Sequence, residues 1–166
     1  VRLVAPVLSY TAEEIWQSTN ILNYEVTSVF LSTFNENYDE IDSQISKEEW
    51  TRIFEIKEQV NQAIETLRNE NKLKGSLDAI VKISAKDQDK KILDKFNDEL
   101  HFLFITSEAK TIKGKKLEIE ISSSKHEKCI RCWHKDVSVG TDKKHNEICN
   151  RCIENIEEDG EKRQFV

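Results

Sequence analysis

The four cysteines are the residues of this chain whose type and spacing point most directly to chemistry. They form two Cys-x-x-Cys pairs, Cys129 with Cys132 and Cys149 with Cys152, and sixteen residues separate the pairs. The two thiolates of each pair can bind one ion, and the intervening loop is long enough to fold the second pair back. The spacing therefore predicts one tetrahedral Zn²⁺ with four sulfur ligands. Such a closed ligand set is structural, since it leaves no open position for catalysis.

Two alternatives to this metal site come from the same region. The first is a pair of disulfides or free thiols; disulfides would require an oxidising compartment, and the sequence shows no secretory leader. His134 and His145 lie near the cysteines and either could replace one as a ligand, although four cysteines already complete a site. Residues 125–166 contain few large apolar side chains. We therefore expect zinc binding, worth on the order of 10 kcal/mol, to supply the folding energy of this region.

The charge of the chain is unevenly distributed. Its 166 residues carry a net charge of −6. Residues 1–75 hold 7 basic and 13 acidic groups, whereas residues 76–124 and 125–166 are each neutral. A local basic face around the cysteine pairs is therefore compatible with an acidic chain.

Several familiar signals are missing from the sequence. Without an apolar run of membrane-spanning length or a leader, we expect a soluble, cytoplasmic protein with no membrane partner. The chain begins with Val1 and contains no Met, so we expect it to be a fragment of a longer polypeptide. It has no P-loop, no GxGxxG and no GxSxG pattern, and we assign it no catalytic residue.

The predicted fold class is mixed. We expect an α-helical bundle over residues 1–75, a small α+β unit over 76–124, and a zinc-ribbon-like module with four cysteines over 125–166. Thr11 and Glu14 fit the pattern of a capping box at a helix start, and Ser46 and Glu49 repeat it. Apolar residues at three- and four-residue steps extend the second helix to about residue 71.

Shorter elements are predicted between these helices and the cysteines. Residues 77–83, 111–112 and 117–121 read as strands, and one helix is predicted from Asp87 to about Ile105. Residues 23–45 lack periodicity and are expected to pack irregularly over the helices. The apolar residues expected in that packing are Val26, Val29, Phe30, Leu31 and Phe34.

The tip of the first cysteine pair is the best candidate for a binding surface. An exposed aromatic ring such as that of Trp133 can stack on an unpaired base, which contributes ~1–3 kcal/mol. Arg131 and neighbouring lysines suit contacts with phosphates or base edges. The alternative is that Trp133 covers the metal site as a small core, and composition does not separate the two.

The sequence resembles a known family over essentially its whole length. Residues 129–134 (Cys-Ile-Arg-Cys-Trp-His), 148–152 (Ile-Cys-Asn-Arg-Cys) and 159–163 (Asp-Gly-Glu-Lys-Arg) resemble the zinc-binding C-terminus of bacterial isoleucyl-tRNA synthetases. Residues 3–16, from Leu-Val-Ala-Pro to Glu-Glu-Ile-Trp, are similar to the anticodon-binding bundle of class I synthetases. Val-Asn-Gln-Ala-Ile-Glu from residue 60 and Gly-Ser-Leu-Asp-Ala from residue 75 also match the family, in order.

The resemblance implies a parent enzyme that activates isoleucine with ATP and Mg²⁺ and esterifies it to tRNA(Ile). An editing domain of that enzyme would hydrolyse mischarged valine, because one methylene gives only modest discrimination. The HIGH and KMSKS signatures of the catalytic domain are absent, so the fragment should be inactive alone. Its partners would be tRNA(Ile) and the catalytic and editing domains of the same polypeptide, in a monomer.

The same resemblance assigns roles to individual residues. The implied ligands of the single zinc ion are Cys129, Cys132, Cys149 and Cys152. The implied tRNA contacts are Arg131 and Trp133.

Two other functions compete with this interpretation. Formamidopyrimidine-DNA glycosylases end in a similar four-cysteine finger that binds DNA. Their nucleophile is an N-terminal proline, whereas here residue 1 is Val and the only proline is Pro6. A zinc ribbon that binds other proteins is the third possibility.

Overall fold

The protein is described by a computed structural model that covers residues 1–19, 26–34, 44–157 and 160–165. The chain divides into two compact units, residues 1–43 and residues 44–166. Within the described ranges, no helix combines the length and apolar character that crossing a membrane requires. The three-part division at residues 75 and 124 stays a prediction.

The first unit contains helix α1, Ser9–Ser18. The capping box predicted at Thr11 and Glu14 is wrong, because the helix begins earlier and Leu8 is its N-cap, without a side-chain hydrogen bond. Helical hydrogen bonds begin before Ser9, because the Leu8 amide donates to Val4 O at 2.8 Å, and the Ala12 amide within the helix donates to Leu8 O at 2.8 Å. The helix is therefore wound before Thr11 is reached.

A 3₁₀ turn at Val29–Leu31 packs against α1. Glu13 accepts hydrogen bonds from the Ser28 hydroxyl at 2.8 Å and the Val29 amide at 3.0 Å, and Val29 is buried with Ala12 and Trp16. The predicted packing is confirmed for Val29. It is wrong for three other residues of this segment, which remain more than half exposed: Phe30, Leu31 and Phe34. The rest of the segment predicted as irregular, apart from Val26–Ser28, Ser32–Thr33 and Gln44–Ile45, lies outside the described residues.

The second unit begins with the long helix α2, Lys47–Asn69, which confirms the strongest helix prediction. Its capping box is present as expected. The Glu49 amide donates to Ser46 Oγ at 3.1 Å, and the Ser46 amide donates to the Glu49 carboxylate at 2.9 Å. The helix buries one apolar face. The residues of that face are Ile53, Ile56, Val60 and Ile64.

Three strands form one small sheet in the order β2-β1-β3. Strand β1 is Ala79–Ala85, β2 is Glu108–Lys113 and β3 is Glu118–Ser123. The central strand β1 pairs parallel with β2 and antiparallel with β3. All three strands were predicted, with ends displaced by one to three residues. A parallel pair needs a crossover connection, and the residues between β1 and β2 supply it.

The crossover is two short helices, and the single helix predicted there is wrong. Helix α3 is Asp87–Asp94 and α4 is Leu100–Phe104, with a 3₁₀ turn at Asn97–Glu99 between them. Asn97 has a φ of 45°, in the left-handed region that interrupts a helix. The break lets Phe96 and Leu100 both enter the core.

Helix α2, the sheet and the crossover share one hydrophobic core. Central strand β1 alternates buried and half-buried residues along its length, as a strand with one core-facing side should. The last helix, α5 at Asn150–Glu157, lies in the cysteine-rich region. The described residues thus contain five α-helices, a three-stranded sheet and a four-cysteine cluster, which confirms a mixed fold.

Candidate metal centre and the surface beside it

The structure brings the four cysteine sulfur atoms together, all within 4.8 Å of one another. Cys129 Sγ lies 3.7 Å from Cys152 Sγ, and Cys132 Sγ lies 3.7 Å from Cys149 Sγ. A tetrahedral ion with Zn–S bonds of ~2.3 Å requires sulfur separations of ~3.8 Å. A disulfide would require ~2.05 Å. The arrangement therefore fits a four-thiolate zinc ion and not a pair of disulfides.

Each cysteine pair is held by a different local structure. The first lies in a tight hairpin, where the Cys129 amide donates to His134 O and the Trp133 amide donates to Cys129 O, both at 2.9 Å. The second pair spans the start of α5, with Cys152 in the first turn of the helix. The Cys149 amide donates to Cys129 Sγ at 3.4 Å, which links the two pairs directly.

The thiols of the cluster differ in acidity, because burial and hydrogen bonds act on them in opposite directions. Burial raises the pKa of the Cys129 thiol, but backbone amides of Cys132, Cys149 and Arg131 hydrogen-bond to it and lower the pKa to about 6. Burial raises the pKa of Cys149, and the neighbouring Cys132 raises it further. Four thiolates this close repel one another, and a bound metal cation removes that obstacle by favouring the deprotonated form of each ligand.

Neither nearby histidine joins the sulfur cluster. In the described part of the chain, the group that could hold a metal ion contains the four cysteines alone. His134 Nδ1 lies 3.3 Å from Cys132 O, and burial lowers the pKa of its ring. His145 Nε2 lies 2.9 Å from a Glu157 carboxylate oxygen. The replacement of a cysteine by histidine, an alternative left open by the sequence, has no support from this geometry.

Two arginines lie against the sulfurs. The Arg131 guanidinium donates to Cys152 Sγ at 3.6 Å, although its side chain is mainly exposed. Burial lowers the pKa of Arg151, but its contacts with the Cys132 thiol and the Glu161 carboxylate raise the pKa further than burial lowers it. A positive charge beside each pair stabilises the thiolate form. Sequence reasoning missed this role for Arg151, although its place inside the second Cys-x-x-Cys pair was a signal.

Trp133 lies outside the cysteine cluster and exposes 59% of its surface. Its φ is 68°, a left-handed conformation that is uncommon for a bulky residue. The hairpin bond to Cys129 holds the backbone there, and Lys128 Nζ lies 5.1 Å from the centre of the ring. Of the two roles left open by the sequence, an exposed ring available for stacking fits this position better than a core residue.

A groove of about 460 Å³ opens beside Trp133. One wall is the turn between α2 and β1, residues 74–78, and the other wall is formed by Lys128, Trp133 and Lys135 of the first cysteine hairpin. We call this the Trp133 groove. Its volume falls within the range of ~300–1,000 Å³ that is typical of ligand sites.

The chain matches two protein families. The anticodon-binding domain of tRNA ligases matches residues 1–83, half of the 166 residues. The chain therefore belongs to the family of tRNA-ligase anticodon-binding domains. A zinc finger found in FPG and IleRS proteins matches residues 127–155, which include all four cysteines.

Curated relatives match the chain along its entire length. It is 40% identical over 167 residues to the isoleucine–tRNA ligase of Dichelobacter nodosus and covers 18% of that protein. It is 38% identical over 181 residues to the isoleucine–tRNA ligases of Hahella chejuensis and Coxiella burnetii, covering 19% of each. The chain thus spans about a fifth of the length of these relatives and matches their C-terminal part. The resemblance predicted from the sequence is confirmed.

Proposed function

We propose that this chain binds the anticodon arm of tRNA(Ile) as the C-terminal part of an isoleucine–tRNA ligase. The observation that supports it best is a combination within one chain. An anticodon-binding domain matches residues 1–83, and a zinc finger of a type found in isoleucyl-tRNA synthetases follows it. The zinc-finger match alone would be compatible with a DNA glycosylase, whereas the match over residues 1–83 favours a tRNA ligase.

The finer architecture belongs to the same proposal. A helical region over residues 1–75 would grip the anticodon stem, followed by an α+β unit over 76–124 and a zinc module over 125–166. The proposed ligands of one structural Zn²⁺ are Cys129, Cys132, Cys149 and Cys152. When bound, the ion would supply a cross-link in place of a hydrophobic core. Arg131 and Arg151 would offset the negative charge that four thiolates bring to a divalent cation.

The proposed mechanism of the parent enzyme is positional. Holding the anticodon arm orients the tRNA so that its acceptor end reaches a catalytic site outside this chain. ATP-dependent isoleucylation with Mg²⁺ and the removal of mischarged valine would belong to those other domains. The parent enzyme would act as a cytoplasmic monomer.

Trp133 is proposed to stack on an unpaired base of the anticodon loop. Its exposed ring supports this role. Arg131 is proposed to contact the same loop, and because guanidinium has five donors, the bond to Cys152 leaves others for RNA.

Titrations with three nucleic acids test the proposal. Binding is compared for tRNA(Ile), tRNA(Ile) with a changed anticodon, and duplex DNA of similar charge. We expect the tightest binding to tRNA(Ile) and a loss when the anticodon changes. A preference for the duplex would favour the glycosylase-type finger, and no binding to either would favour a protein-interaction ribbon.

Substitution of Trp133 tests the stacking contact. Trp133→Ala should weaken tRNA binding by ~1–3 kcal/mol, whereas Trp133→Phe should retain most of the affinity because it keeps an aromatic face. Zinc content, measured by elemental analysis, serves as the control for an intact module. Unchanged affinity in Trp133→Ala would show that the ring only packs on the protein.

A further inference from the structure

The Trp133 groove is a preformed site, because hydrogen bonds lock its two walls together. Ser107 stands between the walls. Its hydroxyl accepts a bond from the Lys135 amide at 2.7 Å and donates to Leu77 O. On the turn side, the Ser124 amide donates to Asp78 O at 2.7 Å. The groove therefore keeps its shape without a ligand, which lowers the cost of binding one.

The charges in the groove favour an anion. Lys135 is neutralised locally, since its Nζ lies 3.3 Å from Asp78 and 3.1 Å from Ser124 O. Lys74 and Lys128 are exposed, and neither forms an ion pair with any residue in the described ranges. The groove thus offers two positive charges that no carboxylate of the described residues neutralises, one on each wall. Lys128 also lies over the Trp133 ring, so an anion near this lysine would sit beside a stacked ring.

Gly75, in the turn that forms one wall, has no role in the fold that requires glycine. Its φ is −169°, an extended conformation that any residue adopts. A Cβ built on it would meet no atom of the described residues within 4 Å. Glycine at such a position allows a ligand to approach the backbone closely.

We propose that the turn at residues 74–76 and the Trp133 hairpin together bind one unpaired nucleotide of RNA. The base stacks on Trp133, and the adjoining phosphates lie between Lys74 and Lys128, against the bare backbone of Gly75. This rests on the proposed function and extends it, because it adds a second RNA-binding element from outside the zinc finger. Proteins usually hold unpaired nucleotides by stacking aromatic side chains on the bases and placing positive charges beside the phosphates.

Lys74→Ala is the first test, with Lys72→Ala as its matched control. Both lysines are exposed on the same turn, but Lys72 pairs with Glu70 at 2.6 Å and does not line the groove. Binding of the isolated anticodon arm of tRNA(Ile) is measured over a series of salt concentrations. Lys74→Ala should weaken binding and reduce the slope of log affinity against log salt by about 1, as expected for one lost phosphate contact. Lys72→Ala should leave the slope unchanged.

Gly75→Ala is the second test and separates binding from folding. A methyl group here touches none of the residues that the structure describes, so the melting temperature should stay the same or rise. Affinity for the anticodon arm should fall, because the methyl group occupies the space of the ligand. If Gly75 had only a structural role, the substitution would not lower the affinity for RNA while leaving the stability unchanged.

The outcomes distinguish this inference from the proposed function. If the unaltered chain binds the arm and both Lys74→Ala and Gly75→Ala bind as Lys72→Ala does, the groove is not an RNA site, while anticodon binding stands. If the unaltered chain binds neither the arm nor tRNA(Ile), both proposals are overturned.

Discussion

The second unit contains two regions that solve the same folding problem in different ways. The region of α2 and the sheet buries a continuous apolar core, in which Ile56, Leu93 and Phe96 are at most 1% exposed. In the cysteine region, three of the four buried residues that form the cluster are cysteines, and the fourth is Ile148. The first region buries enough apolar surface to fold by the hydrophobic effect, whereas the second does not.

This difference explains why the cysteine region can expose large apolar side chains. The large apolar residues of the cysteine hairpin lie on the surface, and Ile130 and Trp133 are each more than half exposed. A hydrophobic core would draw such residues inward. If a bound Zn²⁺ supplies the folding energy, as proposed, these residues can stay on the surface.

The largest expected effect comes from removing one sulfur ligand. Cys149→Ser should abolish zinc binding and disorder residues 125–157, while α2 and the sheet remain folded, because their core contains no cysteine. Elemental analysis measures the metal, and amide NMR spectra show which residues lose order. Chelating zinc from the unaltered chain should reproduce the change, and returning zinc should reverse it. Loss of all helical signal would show that the two regions fold as one cooperative unit.

A substitution in the apolar core tests whether the cysteine region folds independently of that core. Ile56→Ala leaves a cavity between α2 and the sheet and should lower the free energy of unfolding by ~2–5 kcal/mol. Denaturant unfolding followed by circular dichroism measures the loss. Gln59→Ala, on the exposed side of the same helix, is the control and should change stability by less than ~0.5 kcal/mol. Stoichiometric zinc should persist in Ile56→Ala under native conditions, and its loss would contradict independent regions.

The C-terminal tail connects the two regions and gives a smaller expected effect. The Phe165 ring lies 5.3 Å from the ring of Phe96, and the Phe165 amide donates to the Glu99 carboxylate at 2.8 Å. Phe165→Ala should lower the free energy of unfolding by ~1–2 kcal/mol through the lost aromatic contact. Thermal unfolding of the zinc-loaded protein measures it, with Gln164→Ala as the control. Equal stability of the two variants would mean that the tail adds nothing to the core.

The smallest expected effect is an ion pair within the apolar region, and it depends on pH. Arg52 bonds both carboxylate oxygens of Asp89 at 2.8 Å, and this contact lowers the pKa of Asp89. A carboxylate with a lowered folded-state pKa adds stability above its unfolded value, near pH 3.9, and loses it as the pH falls through the folded-state value. Asp89→Asn should therefore cost ~1 kcal/mol at neutral pH and progressively less in acid below about pH 4.

Unfolding curves at several pH values check this prediction. Glu55→Gln removes the other, more exposed partner of Arg52 and serves as the control. A difference between Asp89→Asn and the unaltered chain that stays constant down to low pH would show that the charge of Asp89 contributes nothing.

The sequence predicts some features of the molecule well and others poorly. The spacing of the cysteines is enough to predict the metal cluster, because four ligands within a short stretch have few ways to meet. The long helix is equally clear from its capping box and apolar steps. The single helix predicted over the crossover was wrong because apolar periodicity continues across Asn97, although the backbone turns there. The exposure of Phe30, Leu31 and Phe34 was likewise not visible from their apolar character.

The sequence by itself determined the sulfur cluster, the mixed fold, the main elements and the resemblance to tRNA ligases, since all of these depend on local spacing and residue type. Tertiary structure alone decided which side chains face outward beside the metal site. It placed the α2–β1 turn against the Trp133 hairpin, residues about sixty positions apart in the chain. The physical reason is that Ser107 bonds to both walls, a contact between distant residues that no local pattern encodes.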